Sequence, residues 1–312
     1  MSAAARPPAP LVIDTGYIGP EVDAVHVLFG GSEAALIDTG VGSSAPAVLS
    51  GLAAAGVHVN DVRYIILTHV HLDHAGGAGA LMRALPRAEL VVHPRGARHM
   101  IAPERLIAGS VAVYGAELFQ QLYGEILPVP AERVRVTEDE GRLDFGGRAL
   151  RFLHTLGHAK HHHCVVDEAG GAVFTGDTFG LAYPALQRPG HPFLMATTTP
   201  VDFDPPALRA SIRRIAACGA DTAYLTHFGP VTGLAVAAAQ LLNEVDAMVR
   251  LCAETAHLDE SDLSDAIFAH WMGRLRAAGH PGEAADLAPS LRFDAPLNAQ
   301  GLRHWWATGG RP

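Results

Sequence analysis

At 312 residues, 49% hydrophobic and 18% charged, the chain has the make-up of a globular protein able to bury one large core or two modest ones. Its net charge of −9 argues against a general nucleic-acid binder, which carries a basic face, and no unbroken apolar run of about 18 residues suggests a membrane span. Cys164, Cys218 and Cys252 lie far apart without a CxxC pair, so no disulfide framework is expected and a reducing cytoplasm is the expected setting.

Met1 to Pro10 is rich in Ala and Pro, without a basic start or long apolar stretch. It reads as a flexible tail over residues 1–10 rather than a signal peptide. Early strands are expected at Leu11–Asp14, Val22–Phe29 and Ala34–Asp38, with Gly30-Gly31 and Gly40 as turn signals. Ala45–Ala55 has helical apolar spacing. Val62–Leu67 reads as a buried strand running into Thr68-His69, followed by a helix over Ala75–Leu85 and a strand over Glu89–His93. Arg95 to Glu125 reads mainly as helix with Leu106, Val113, Leu118, Phe119 and Leu122 on one side.

A second strand-rich block follows at Val134–Val136, Leu150–His154, Cys164–Val166, Ala172–Thr175 and Thr222–Thr226. Helices are expected at Pro205–Cys218, Gly233–His257 and Glu260–Ala277. Gly279–Pro312 reads as irregular at first, with Asn298 to Leu302 as an ordered turn into a short last helix carrying Trp305 and Trp306. Two strand blocks, each with helices, predict two α/β halves packed sheet against sheet with helices outside. No repeat or low-complexity linker interrupts them.

Histidine is abundant, at 18 residues, so position has to separate ligands from composition. In Thr68-His69-Val70-His71-Leu72-Asp73-His74-Ala75-Gly76-Gly77, three histidines and an aspartate fall within six positions directly after a strand. Where a strand ends the chain turns, so His69 and His71 can converge on one ion while Asp73 and His74 face a neighbouring one. Imidazole and carboxylate suit Zn²⁺. The small residues Ala75 to Gly77 let the backbone turn tightly there. No GxSxG serine-nucleophile motif competes.

HxHxDH after a strand resembles the signature of the metallo-β-lactamase superfamily, and other elements of that pattern follow in order. Thr155-Leu156-Gly157-His158 is similar to its TPGH turn, with Leu156 in place of proline. Phe174-Thr175-Gly176-Asp177 resembles its apolar strand followed by Gly-Asp, and Tyr224-Leu225-Thr226-His227 its strand-end histidine. Asp38, in Leu-Ile-Asp-Thr-Gly, resembles an aspartate that braces the metal loop. The likeness covers about residues 11 to 230.

The resemblance implies an αββα sandwich of two mixed sheets packed face to face, spanning 11–232, with a helical C-terminal extension at 233–312 packed on the same domain. It implies that His69, His71 and His158 hold one metal and that Asp73, His74 and His227 hold a second, with Asp177 bridging. Two Zn²⁺ are the expected ions, with Fe or Mn as alternatives. The implied reaction is attack of a metal-bridging hydroxide on an ester-like bond (lactone, thioester or phosphoester) of a small substrate, since each cation lowers the pKa of a shared water. Asp73, Asp177 and Tyr183 are the expected catalytic side chains, Tyr183 as a hydrogen-bond donor to a developing charge.

Thr15–Asp23, Arg95–Glu125 and Phe179–Asp204 are the candidate pocket walls, with Phe179, Tyr183, Phe193 and Phe228 giving an apolar lining. His162 is expected to support His158 by a hydrogen bond or to lie at the surface. His154 is expected to be structural and Cys164 to be a small core residue. Neither nucleic acid nor a membrane is an expected partner. The C-terminal helices are the candidate surface for a homodimer, although Trp305 and Trp306 are expected to pack in a core. A mononuclear-iron oxidoreductase of the persulfide-dioxygenase type is the alternative that the resemblance leaves open.

Overall fold

A computed structural model describes residues 6–188, 192–198, 200–280 and 284–311. The first half of the expected tail, residues 1–5, and His191 lie outside the described residues.

The first sheet holds β1 (Leu11–Asp14), β2 (Ala24–Gly30), β3 (Glu33–Ile37), β4 (Val62–Ile66), β5 (Glu89–Val92) and β6 (Val134–Val136), in that spatial order. Antiparallel pairing joins β1 to β2 and β2 to β3, and the rest is parallel. The second sheet runs β7 (Arg142–Phe145), β8 (Arg148–His154), β9 (His163–Asp167), β10 (Ala172–Phe174), β11 (Thr222–Leu225) and β12 (Gly229–Thr232). Only β10 and β11 are parallel there.

Side chains alternate across each strand, and that alternation builds three apolar layers. Between the sheets lie Leu28, Ile37, Tyr64, Ile66 and Val91 from the first, against Phe145, Leu150, Phe152, Val165 and Phe174 from the second. The opposite faces of the first sheet's strands, with Val27, Leu36, Ile65 and Leu90, are covered by α1 (Ala45–Ala54) and α3 (Ala78–Ala84), the latter preceded by the single turn α2 (Leu72–Ala75). With both faces covered, these strands read as continuous apolar runs rather than alternating ones.

Residues 94–123 form three consecutive helices, α4 (Pro94–Ile101), α5 (Glu104–Tyr114) and α6 (Ala116–Tyr123), broken at Pro103 and Gly115. Over the second sheet lie α7 (Pro205–Ala216), α8 (Leu234–Glu254), α9 (Glu260–Ala277) and α10 (Ala284–Ala307). The result is the expected αββα sandwich with a helical C-terminal region.

Three expectations change. The end of the chain is not irregular with a short last helix: α10 runs for 24 residues, so Asn298 to Leu302 lie within a helix rather than in a turn. Strands β7 and β12 arise where none was expected. β12 contains Pro230, which a sheet tolerates at its edge, and β12 is the edge strand. Among the described residues, no helix is long and apolar enough to cross a membrane.

Candidate metal centre

The C-terminal ends of β4, β8, β10 and β11 open on the same edge of the packed sheets, the usual place for ligands in α/β architectures. From β4 the chain leaves the sheet at Thr68 and turns through His69 and His71 into α2, which carries Asp73 and His74. The turn after β8 supplies His158, the residues after β10 supply Asp177, and those after β11 supply His227. Glycine is required at several places in this weave, two of them directly against the site. A Cβ on Gly77 would lie 2.7 Å from the Thr39 carbonyl. One on Gly176, at φ +46°, would lie 2.6 Å from Thr68 Oγ1 and 2.7 Å from His162 Nε2.

All seven expected ligands are brought together. His69 Nε2 is 2.9 Å from His71 Nδ1, and His158 Nε2 is 3.3 Å from the former and 3.0 Å from the latter. On the other side, His74 Nε2 is 3.9 Å and His227 Nε2 3.5 Å from Asp73 Oδ2. Asp177 stands between the groups. Its Oδ2 is 3.5 Å from His158, and its Oδ1 is 3.1 Å from His74 and 3.6 Å from His227.

The outer nitrogens of His74, His158 and His227 each have their own partner, which fixes the ring so that the inner nitrogen faces the cluster. His74 Nδ1 donates to Asp38 Oδ2 at 2.8 Å, and His227 Nδ1 donates to the Val22 carbonyl at 2.8 Å. His158 Nδ1 lies 2.9 Å from Thr197 Oγ1. Asp38 also accepts from Thr68 N at 2.7 Å and Thr226 Oγ1 at 2.8 Å, so one buried carboxylate ties β3, β4 and β11 behind the ligands.

Electrostatics divide the cluster in two. Burial, reinforced by neighbouring histidines, holds His69 well below the ordinary imidazole range; burial also pushes His158 down to about 3 against the pull of Asp177. These rings are neutral, with lone pairs facing one another. Burial would lower His74 and His227 as well, but Asp177 and its neighbouring carboxylates outweigh it. They raise His74 well above its ordinary value and His227 to about 10. The pocket therefore favours positive charge between those rings and the carboxylates. His74 Nε2 and Asp177 Oδ1, 3.1 Å apart, are buried and make no well-aligned hydrogen bond with each other or with any other group among the described residues. Converging imidazole lone pairs, a carboxylate facing both groups and orphaned buried atoms fit a pair of cations. Three overlapping sets could hold an ion: His69, His71 and His158; His69, His74 and Asp177; Asp73, His74 and His227.

A cavity of about 1080 Å³ opens onto the cluster. Its walls include Tyr17, Ile18 and Val22, side chains of α4 to α6, and Leu181, Tyr183 and Thr197, so each expected wall segment contributes. The expected aromatic lining is corrected: Tyr183 alone of the four lines this cavity. Phe179 and Phe193 are buried in the core beneath α8 to α10. The Tyr183 hydroxyl donates to Asp294 Oδ2 at 2.9 Å.

The supporting residues differ in how far the sequence announced them. His162 is wholly buried, with Nδ1 2.9 Å from Thr155 Oγ1 and Nε2 accepting from Asp177 N at 3.3 Å, so it supports the site by hydrogen bonds. Within the expected walls, the contact of Thr197 with His158 and the stacking of Tyr17 on Tyr123 were not anticipated, and outside them neither was the α10 wall of Phe293, Asp294, Leu297 and Asn298. No local motif marks them, because each meets the site only through tertiary packing.

A family model described as the metallo-beta-lactamase superfamily matches residues 18–227. The metallo-beta-lactamase fold-containing protein ST1585 of Sulfurisphaera tokodaii is 28% identical over 177 residues, 55% of this chain and 63% of that protein. A crystal structure of ST1585 superimposes with a TM-score of 0.67 at 24% identity, covering 96% of this chain and 99% of that one. An atrochrysone carboxyl ACP thioesterase of Passalora fulva is 30% identical over 158 residues, 49% of this chain and 37% of that protein. A hydroxyacylglutathione hydrolase of Aeromonas hydrophila is 28% identical over 181 residues, 58% and 52% of the two chains. The matched region thus spans less than two thirds of each of these curated relatives.

Proposed function

The chain belongs to the metallo-beta-lactamase superfamily, and we propose that it is a dinuclear, zinc-dependent hydrolase of a thioester or related ester of a small molecule. The observation that carries this reading is Asp177, whose two carboxylate oxygens face two separate histidine groups at 3.1 to 3.6 Å. Two relatives named as a thioesterase and a hydroxyacylglutathione hydrolase favour a thioester within the ester class.

His69, His71 and His158 would hold the first ion, and Asp73, His74 and His227 the second, with Asp177 between them. Bound there, the cations supply a Lewis acid for the scissile carbonyl and a hydroxide near neutral pH. The protein's own contribution is largely orientation. Asp38, Thr197 and the Val22 carbonyl hold His74, His158 and His227 with their inner nitrogens fixed, so little reorganisation accompanies the reaction. Asp73 is the more exposed of the two central carboxylates, its side chain 23% exposed against 7% for Asp177. Its carboxylate, facing the cavity as well as the second histidine pair, is the group placed to receive a proton and return it to the leaving group. Tyr183 reaches a substrate oxygen only by exchanging its Asp294 partner, so its role here is to position that wall.

Asp177→Ala tests the assignment. The expected result is loss of hydrolysis and a fall from about two zinc per chain to one or fewer, with an unchanged circular dichroism spectrum. Wild-type turnover by the variant would refute the site. One iron per chain with oxygen uptake and no ester hydrolysis would instead select the dioxygenase alternative.

A further inference from the structure

Charge is distributed unevenly around the cavity over the metal centre. Asp73 and Asp177 lie at its floor, and Leu106, Val113 and Leu297 form an apolar wall. At its lip stand three exposed arginines, Arg95 and Arg98 on α4 and Arg105 on α5. Arg95 and Arg98 are three residues apart and so share a helix face.

Arg142, Arg151 and Arg209 are matched with Glu168, Glu140 and Asp246, whereas exposed Arg83, Arg135 and Arg213 are scattered over other surfaces; Arg95, Arg98 and Arg105 differ in lining one cavity together. Lys160, the other cation of the cavity, is held by Asp202 at 2.7 Å. Among the described residues, Arg95, Arg98 and Arg105 have no carboxylate within ion-pair distance. The single side-chain hydrogen bond among them runs from Arg98 Nε to His99 Nε2 at 3.3 Å.

The path from the metal centre to this lip is lined by imidazoles. His161 stands 5.5 Å from His71, ring to ring, and His99 stands 6.3 Å from His161. The arginines remain uncompensated by carboxylates while facing the same cavity as the reacting centre.

We propose that Arg95, Arg98 and Arg105 form an anion-binding lip that selects substrates carrying a phosphate or carboxylate group away from the scissile bond, an inference that rests on the hydrolase reading above. A guanidinium offers paired N–H donors that match the oxygens of either anion. The apolar wall would pack the intervening chain, and the distance along the imidazole path sets the anion apart from the bond that breaks. Because the lip is solvated, its effect is modest and screened by salt.

Two matched pairs of thioesters test this with the zinc-loaded protein. Butyryl-coenzyme A against butyryl-N-acetylcysteamine places the charge on the thiol half. Glutaryl-N-acetylcysteamine against its methyl ester places it on the acyl half. At least one anionic member is expected to show a KM roughly tenfold below its neutral partner, equivalent to about 1.4 kcal/mol. That preference should shrink in high salt, collapse in the Arg95→Gln/Arg98→Gln/Arg105→Gln variant and largely return with lysine at the three positions. Calorimetry with the non-hydrolysable thioether of the preferred anion should show the same dependence in binding.

Equal KM within both pairs in the wild type, unaffected by the substitutions, overturns the lip and leaves the hydrolase standing. No turnover of any ester, with arginine-dependent binding of the thioether of either anionic thioester retained, overturns the hydrolase reading while the lip survives. Absence of both turnover and binding overturns both.

Discussion

His26 sits between the two sheets, 1% exposed, with its ring 5.5 Å from Phe174 and 5.6 Å from Tyr224. Its Nε2 has no hydrogen-bond partner among the described residues. Burial, only partly opposed by Asp38, pushes its pKa from 6.5 down to about 4. The unfolded chain therefore takes up a proton at this residue near 6.5 while the folded one resists until about 4. Stability contributed here is lost as pH falls through that window, because the unfolded state binds more protons. His26→Phe keeps an aromatic ring between Phe174 and Tyr224 and removes the titration. Its urea midpoint should fall less than the wild type's between about pH 7 and pH 4.5; equal falls in the two proteins would rule out His26 as a source of acid sensitivity. The same contrast explains which site residues were legible. His69, His71, Asp73 and His74 converge within one turn after β4, so spacing alone reveals them. His26 and Thr197 act through partners far away in sequence, and their surroundings leave no local pattern.

Helix α10 shows how an element escapes a sequence reading and still reaches the metal centre. Pro289 and Pro296 fall inside it, and each removes a backbone hydrogen bond. Those prolines, with Asn298 and Gly301, read as turn chemistry. What holds the helix is an apolar stripe, Leu291, Ala295, Ala299 and Leu302, packed into the core under α8 and α9. Packing thus overrides propensity. From the same helix Asn298 Oδ1 accepts from Thr198 N at 2.7 Å and Thr198 Oγ1 at 2.8 Å, while its Nδ2 donates to the Asp294 carbonyl. Neighbouring Thr197 meets His158 Nδ1 at 2.9 Å and the Asp177 carbonyl at 3.1 Å. The asparagine therefore pins the loop that orients two expected ligands. Asn298→Ala should cost roughly 1–3 kcal/mol by leaving the buried Thr198 N–H unpaired. It should also weaken zinc binding, by roughly tenfold if Thr197 shifts. A metal titration and a denaturation curve separate the two effects; wild-type values in both would show that the loop holds itself.

Across the whole molecule, the largest apolar cluster joins the second sheet to all four helices that cover it. Val173, Ala223 and Leu225 of the strands meet Leu208 and Ile212 of α7, Leu241 and Met248 of α8, Ile267 and Trp271 of α9, and Leu291 and Leu302 of α10. The family match ends at residue 227, yet the core does not end there. Reading along the sequence suggests a domain to 232 with helices added, because motifs stop where the ligands stop and apolar periodicity alone cannot say what a helix packs against. Burying one large apolar side chain contributes about 1.5–3 kcal/mol, and a whole domain is stable by only about 5–15 kcal/mol. Loss of the six large side chains just named from α8 to α10 and the Phe179 region they cover would exceed that margin. A chain ending at residue 233 is therefore expected to lack a cooperative thermal transition and to bind no stoichiometric zinc, whereas the full chain should unfold in one step with its metal. A truncated chain that melts sharply and takes up two zinc ions would mean that the first 233 residues fold alone, making the three helices an appendage to a self-sufficient sandwich.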